Sequence, residues 1–225
     1  MSVPSVIAID GPAGSGKSTL GALLAGRLGY LYFDTGVMYR ALAYIALART
    51  HDIHDQVAIE TLAAQTQIEV QPPQIADGRQ ATVLVDGTDV TWHLRTPTVE
   101  QAVSIIARYP GVRRELVRQQ QQIGRRGQVV MVGRDIGTIV MPDAELKLYL
   151  ETSLDERARR RAEQYQSANP EHSLSDIRAA IARRDSLDAH VLQAAPDAIR
   201  LQTDGMSPEQ ELEWLLAHMR QQANV

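Results

Sequence analysis

"GPAGSGKS", residues 11–18, fits the pattern G-x-x-x-x-G-K-[ST], and its flanks are as informative as the match itself. "VIAID" (6–10) precedes it as a short apolar run of the kind that forms a buried parallel strand. After it, Leu20, Leu23, Leu24 and Leu28 recur at helical spacing until Gly29 offers a stop. By composition alone the four fixed positions would arise in about one such chain in a hundred. The strand–loop–helix setting makes coincidence far rarer. Gly11, Gly14 and Gly16 let successive backbone N–H groups turn inward around phosphate oxygens, with Ser15 part of the same loop. The helix start adds unsatisfied donors and the positive end of its dipole. Lys17 is expected to reach the β- and γ-phosphates and Ser18 to place its hydroxyl on Mg²⁺. Thr19 completes the nucleotide-binding stretch as the next residue of the helix.

Working outward, strand and helix patterns alternate. "YLYF" (30–33) reads as a second strand and 36–49 as an Ala/Leu-rich helix. Between about 65 and 93, "IEV", "ATVLVDG" and "DVTWHL" read as short strands broken by turn residues, a small antiparallel insertion. Helical patterning returns over 97–125, with a break near "YPG" (109–111). Strands are expected at 128–133, 145–151 and 198–202, and Arg-rich helices at roughly 153–166 and 173–187, separated by "SANPEHS". Ser207 and Pro208 open a last helix. The fold class expected is α/β: a doubly wound parallel sheet of phosphate-loop kinase type, with a small antiparallel insertion and a helical lid. In a single domain spanning 1–225, the core is 1–64, 94–152 and 190–225, the insertion about 65–93 and the lid about 153–189.

Composition narrows the function. The chain has 225 residues, 44% apolar and 22% charged, with a net charge of −4. That argues against a nucleic-acid partner or a basic membrane-surface protein. The absence of cysteine excludes disulfides and thiolate chemistry. No apolar run approaches a membrane span and no signal-peptide pattern precedes "VPSVIAID", so a cytoplasmic location and no membrane partner are expected. Of 23 basic residues only Lys17 and Lys147 are lysine. "HDIHD" (51–55) has two histidines but no third ligand nearby, and reads as a surface turn rather than a zinc site.

Two further stretches fall at strand ends, where open α/β sheets bind ligands. In "YFDTGVMYR" (32–40), Asp34 or Thr35 could cap the next helix, but Arg40 lies within a turn and a half of Thr35. A guanidinium and a hydroxyl there suit a second phosphate. "VGRDIGT" (132–138) brings Arg134 and Asp135 out at the same kind of position. A guanine-reading N-K-x-D is absent, so a small kinase whose lid excludes water from the γ-phosphate is expected.

Taken together, the phosphate loop, D-T-G-x-M-Y-R, G-R-D-I-G-T and the later R-D-x-x-D resemble the bacterial cytidylate kinase family, from about Ser5 to the last helix. The resemblance implies phosphate transfer from ATP, with Mg²⁺, to CMP or dCMP. It places Thr35, Arg40 and Arg134 on the acceptor phosphate, with Tyr39 packing nearby. It assigns Ser104, Arg113 and Asp135 to cytosine, and Arg184 and Asp188 to the ribose. Lys17, Arg134 and the lid arginines Arg157 and Arg161 are expected to neutralise the transferred phosphoryl group. A monomer is expected.

The family pattern is broken twice. Val132 stands where a carboxylate usually precedes G-R-D, placed to orient Mg²⁺-bound water. Val191 stands where R-D-x-x-D-x-x-R carries its last arginine, and the segment before "PDA" is about four residues short. A lost charge-assisted phosphate clamp costs about 1.5–3 kcal/mol; the candidate to compensate is His190 or a lid arginine. Two other readings are a kinase for another small acceptor such as UMP, and a nucleotide-binding regulatory protein without transfer activity.

Overall fold

The computed structural model describes residues 3–49, 52–166, 173–189 and 191–223. His51 and His190, both weighed above, and most of the "SANPEHS" connection lie outside the described residues. The chain forms two compact units, one of residues 1–30 and 130–225, the other of 31–129.

The first unit begins with β1 (Val6–Asp10), every residue of which is buried, as a strand covered on both faces requires. α1 (Lys17–Leu28) ends at Gly29, whose φ of 69° lets the following Tyr30 N–H turn back to the Ala25 carbonyl at 2.9 Å. Beyond the second unit, β6 (Val129–Gly133) leads into a π-helical turn (Ile136–Val140), then β7 (Leu146–Glu151). Helices α6 (Leu154–Gln166) and α7 (Leu174–Asp188) follow, then β8 (Ile199–Gln202) and α8 (Pro208–Ala223). β1 pairs in parallel with β7, Ile7 opposite Leu146, and β7 in parallel with β8. The larger sheet, parallel and flanked by helices, has the order β2-β6-β1-β7-β8, with β2 spanning Leu31–Asp34. The chain therefore leaves β1 in both directions, and the loop after β1 sits between β6 and β7. That is the switch point where such sheets bind ligands. The expected cap of the last helix is a reciprocal box: Gln210 N–H donates to Ser207 Oγ at 3.3 Å and Ser207 N–H to Gln210 Oε1 at 2.8 Å.

In the second unit, α2 (Gly36–Arg49) and α3 (Gln56–Gln65) precede an antiparallel sheet of β3 (Ile68–Gln71), β4 (Thr82–Val85) and β5 (Thr88–Asp89). Asp86 and Gly87 form the two-residue hairpin loop, both with positive φ (48° and 80°), as a type I′ turn demands. The Gln119 side chain acts as a neighbouring peptide to β3. Its Oε1 accepts from Ile68 N–H at 3.0 Å and its Nε2 donates to the Thr66 carbonyl at 2.9 Å.

Two local expectations are corrected. The strand read from "DVTWHL" stops at Asp89, and Thr91–His93 is a single 3₁₀ turn. Asp89 Oδ1 accepts from both the Thr91 N–H (2.9 Å) and hydroxyl (2.6 Å), a local side-chain alternative to the ladder. α3, capped by Asp55 through the Ala58 N–H at 3.0 Å, was not anticipated. The break at "YPG" is the start of α5 (Pro110–Gly124), which follows α4 (Pro97–Ile106). Pro97 and Pro110 each take a first-turn position, where no N–H is needed. Among the described residues no helix is long and apolar enough to cross a membrane.

Candidate active site

The first unit builds its site on the loop between β1 and α1. Gly11, Gly14 and Gly16 have φ values of 148°, 78° and 94°, a run of left-handed backbone that side chains oppose. Loop carbonyls are held from outside: Arg157 Nη1 donates to Ala13 O at 3.1 Å, and Thr152 Oγ1 to Ser15 O at 3.5 Å. In a trans peptide the following N–H points the opposite way, so the amides of Gly14 and Gly16 are directed away from these anchors. Lys17, buried, lies along the loop with Nζ 2.5 Å from Pro12 O and 3.3 Å from Ser15 Oγ. This is an anion cradle of backbone donors with one ammonium, at a helix N-terminus.

Behind it, Arg157 is fixed by Thr152 O (3.1 Å) and by an ion pair to Asp185 of α7 at 2.7 Å. Arg160 reaches the Thr203 and Met206 carbonyls and Glu211. A Cβ on Gly16 would lie 3.2 Å from Arg160 Nη1 and 3.4 Å from Glu211 Oε2, so glycine is needed there for space as well as for φ. Burial pushes the Glu211 carboxyl up, and Arg160 opposes that shift. Arg159 is engaged by Glu156 and Glu163 on the exposed side, while Arg161 is exposed and donates to Gln164. The four lid arginines thus divide, with 157 and 160 turned to the loop and 159 and 161 to solvent.

The turn after β6 supplies the next group. Arg134 Nε donates to Asp188 Oδ2 at 2.9 Å, and its Nη1 lies 3.5 Å from Gly11 O. Arg184 Nε donates to the same Asp188 oxygen at 3.2 Å, so three residues assigned to substrate meet at one carboxylate. Asp135, next to Arg134 in sequence, is buried. Val132 is also buried, an apolar side chain at the end of β6. Val191 N–H closes a turn onto the Asp188 carbonyl at 2.9 Å.

A residue that sequence reasoning passed over is Asp10. It is buried at the end of β1 and accepts from Ile136 N–H at 2.8 Å and Gly137 N–H at 2.7 Å. Its carboxyl is pushed up to about 6, chiefly by burial, with Asp135 adding to the rise and the two amides and Lys17 opposing it. A carboxylate closing an apolar strand was the available signal.

The second unit carries the other predicted residues. Thr35 is buried at the start of α2, and Gly36 N–H donates to Asp34 Oδ1 at 2.9 Å. Arg40 folds back over that turn, its Nη1 lying 2.7 Å from where a Gly36 Cβ would stand. Its Nε pairs with Glu100 Oε1 of α4 at 2.7 Å. Although burial alone would lower its pKa, Glu100 and Asp34 hold the guanidinium above its ordinary value. Ser104, one turn along α4 from Glu100, donates to Gln101 O at 2.7 Å. Tyr39 and Arg113 are half-buried, the latter in the first turn of α5. That turn is held by Glu60 of α3, which accepts from Gly111 N–H at 2.9 Å.

The cytidylate kinase family model matches residues 7–221, which include every candidate site residue described above. The chain belongs to the cytidylate kinase family. A cytidylate kinase of Chloroflexus aggregans is 62% identical over 216 residues, 96% of this chain and 94% of that protein. One of Roseiflexus castenholzii is 57% identical over 97% of this chain and 95% of its own length. A bifunctional pantoate ligase/cytidylate kinase of a Synechococcus strain is 47% identical over 90% of this chain but 38% of its own length, so there the family's fold is one part of a longer protein. Among solved structures, a shikimate kinase from Bacteroides thetaiotaomicron matches 99% of this chain and 100% of its own, with a TM-score of 0.50 at 13% identity. That likeness speaks to fold alone. Cytidylate kinase family membership thus rests on sequence, and the fold agrees.

Proposed function

We propose that the protein transfers the γ-phosphoryl group of ATP to CMP or dCMP, giving ADP and CDP or dCDP. The observation that carries this reading is the family match over 7–221, supported by a phosphate cradle with Lys17 in one unit and the Thr35–Arg40 pair in the other. In the reaction an acceptor phosphate oxygen bonds to the γ-phosphorus as the bridge to the β-phosphate breaks, and ADP takes the bond's electrons. The acceptor oxygen is already anionic, so no general base is required, and catalysis consists of alignment and charge neutralisation. Lys17 and Arg134 are assigned that neutralisation, with Arg157 and Arg161 as lid contributors. Arg157 as placed acts by holding the loop.

Gly11, Gly14, Ser15, Gly16, Lys17, Ser18 and Thr19 form the nucleotide-binding stretch. Thr35, Arg40 and Arg134 receive the acceptor phosphate, with Tyr39 packing nearby, and Ser104, Arg113 and Asp135 read cytosine. A carboxylate accepting from the exocyclic amine rejects uracil, because the wrong base leaves a buried group unpaired. Arg184 and Asp188 face the ribose. The residues present fit Mg²⁺: Ser18 stands exposed in the first turn of α1, and among the described residues no acidic or histidine cluster competes for the ion. A hydroxyl oxygen beside substrate phosphates and water belongs to the all-oxygen ligand class that Mg²⁺ takes. When bound, the ion would neutralise the β- and γ-oxygens.

The test is ADP release in a coupled assay with and without CMP, repeated with UMP. Turnover that needs CMP and falls at least about tenfold with UMP supports the reading. Equal rates with both acceptors remove the cytosine-reading assignment, and ATP binding without CMP-dependent turnover removes the activity itself.

A further inference from the structure

We propose that Asp10 is a positioning residue for Arg134, fastening the Gly-Arg-Asp turn to the strand that carries the phosphate loop. Both carboxylate oxygens are used on consecutive amides of that turn, Ile136 (2.8 Å) and Gly137 (2.7 Å). These amides lie two and three residues beyond Arg134, and Asp10 is the residue immediately before Gly11. Arg134 itself reaches back to Gly11 O at 3.5 Å, so the last residue of β1 and the first of the loop touch the turn at its backbone and at its functional side chain.

The turn is also held from β7. Gly137 sits against the stem of Lys147, whose Cδ is 3.2 Å from the position of a Gly137 Cβ; Asp10 Oδ2 is 3.4 Å from the same point. Lys147 Nζ then runs out to Asp197, at 3.0 and 2.8 Å from its two oxygens. One of the chain's two lysines is in the phosphate loop, and the other clamps this turn with its aliphatic stem. Asp10 closes the clamp from the opposite strand.

The chemistry of Asp10 makes the proposal testable. An ionised carboxylate is an acceptor only, which suits two N–H donors. A neutral carboxyl or an amide presents a donor to one of them and must release it. The charged or titratable neighbours are Asp135 of the turn, Lys17 of α1, and Tyr149 and Lys147 of β7, with Arg134 beyond the turn amides. Burial places the Asp10 transition at about 6, so the fastening is intact at neutral pH and lost in mild acid.

The proposal rests on Arg134 serving the acceptor phosphate. The experiment is steady-state kinetics of Asp10→Asn, varying ATP and CMP separately. The KM for CMP is expected to rise about tenfold or more, while the KM for ATP stays within about threefold, since the carboxylate bonds the turn and not the loop. The ratio of wild-type to D10N kcat/KM for CMP should shrink as pH falls from about 7.5 to about 5.5. Taking the ratio cancels the ionisation of CMP's own phosphate, which lies in the same range. A purely structural role would lower the melting temperature and leave that ratio flat. Gly137→Ala presses on the turn from its other side and should raise the KM for CMP in the same way; it decides the matter if D10N does not fold. Unchanged CMP kinetics in the folded variant, or a flat ratio, overturns the proposal. A wild-type enzyme inactive with CMP would instead sink the activity on which it rests.

Discussion

Arg157 Nη1 donates to the carbonyl of Ala13 at 3.1 Å, across 144 residues of sequence. A helix from the last third of the chain thus sets the orientation of a peptide in the phosphate loop. The same guanidinium pairs with Asp185 at 2.7 Å, so the loop, α6 and α7 share one cation.

Arg157→Ala should therefore act on stability and on nucleotide binding at once. Removing one partner of a largely buried pair costs about 3–5 kcal/mol when full burial applies. Asp185 is partly exposed, so about 2 kcal/mol is expected, lowering the melting temperature by roughly 4–8 °C. The KM for ATP should rise with it. Calorimetry and kinetics on one preparation check both, and a variant that melts with the wild type would refute the anchoring role.

Lys17→Ala and Arg40→Ala should separate the donor side from the acceptor side. The first is expected to lose at least about 100-fold in kcat with every acceptor, as removal of a transition-state charge does. The second should mainly raise the KM for CMP, by about 10–100-fold for a lost charge-assisted contact. If both retain wild-type rates and Michaelis constants, the site lies elsewhere.

Stability should fall in acid through the small sheet's own ion cluster. Arg79 bonds Asp77 through Nε (2.8 and 3.0 Å) and Nη2 (2.6 Å), and Asp89 through Nη1 (2.5 Å). Arg79 holds the Asp89 carboxyl down to about 2, with Thr91 helping, and holds Asp77 below the usual carboxylate range. Their unfolded value is 3.8, so the native state releases these protons more readily. The stability they contribute is complete above about pH 4 and disappears as pH falls through about 2. Asp10, raised rather than lowered, has the opposite sign: between about 6 and 3.8 the native state binds its proton more tightly, so its contribution grows as pH falls. Urea midpoints measured from pH 4 to pH 2 should decline in the wild type and decline less in Arg79→Gln; parallel curves would exclude the cluster as the cause.

Much of the fold was legible because its signals are local. The loop, its strand and its helix occupy 23 consecutive residues, 6–28, and each declares itself by glycine placement or apolar spacing. The hairpin at Asp86–Gly87 and the cap at Ser207 are equally local. α3 escaped notice because it follows a polar turn and buries only Ile59, Leu62 and Ala63. The 3₁₀ turn at Thr91 replaced a strand because Asp89 offers its carboxylate two residues away, which propensity alone does not weigh. At the site, residue types were readable but partners were not. Nothing near Arg157 in sequence announces Ala13 or Asp185, and Asp10 reads as the end of a strand until Ile136 and Gly137 arrive from 126 and 127 residues away.

The side-chain amide of Gln119 lying along β3 has a consequence for how the protein behaves at high concentration. A strand at the margin of a sheet invites another chain to pair with it, and fibrils grow from such invitations. Here the N–H of Ile68 and the carbonyl of Thr66 are already taken by a glutamine that cannot propagate the ladder, while the opposite margin, β5, is only two residues long. Replacing Gln119 with leucine would leave that margin open, and self-association through the small sheet is the failure to look for.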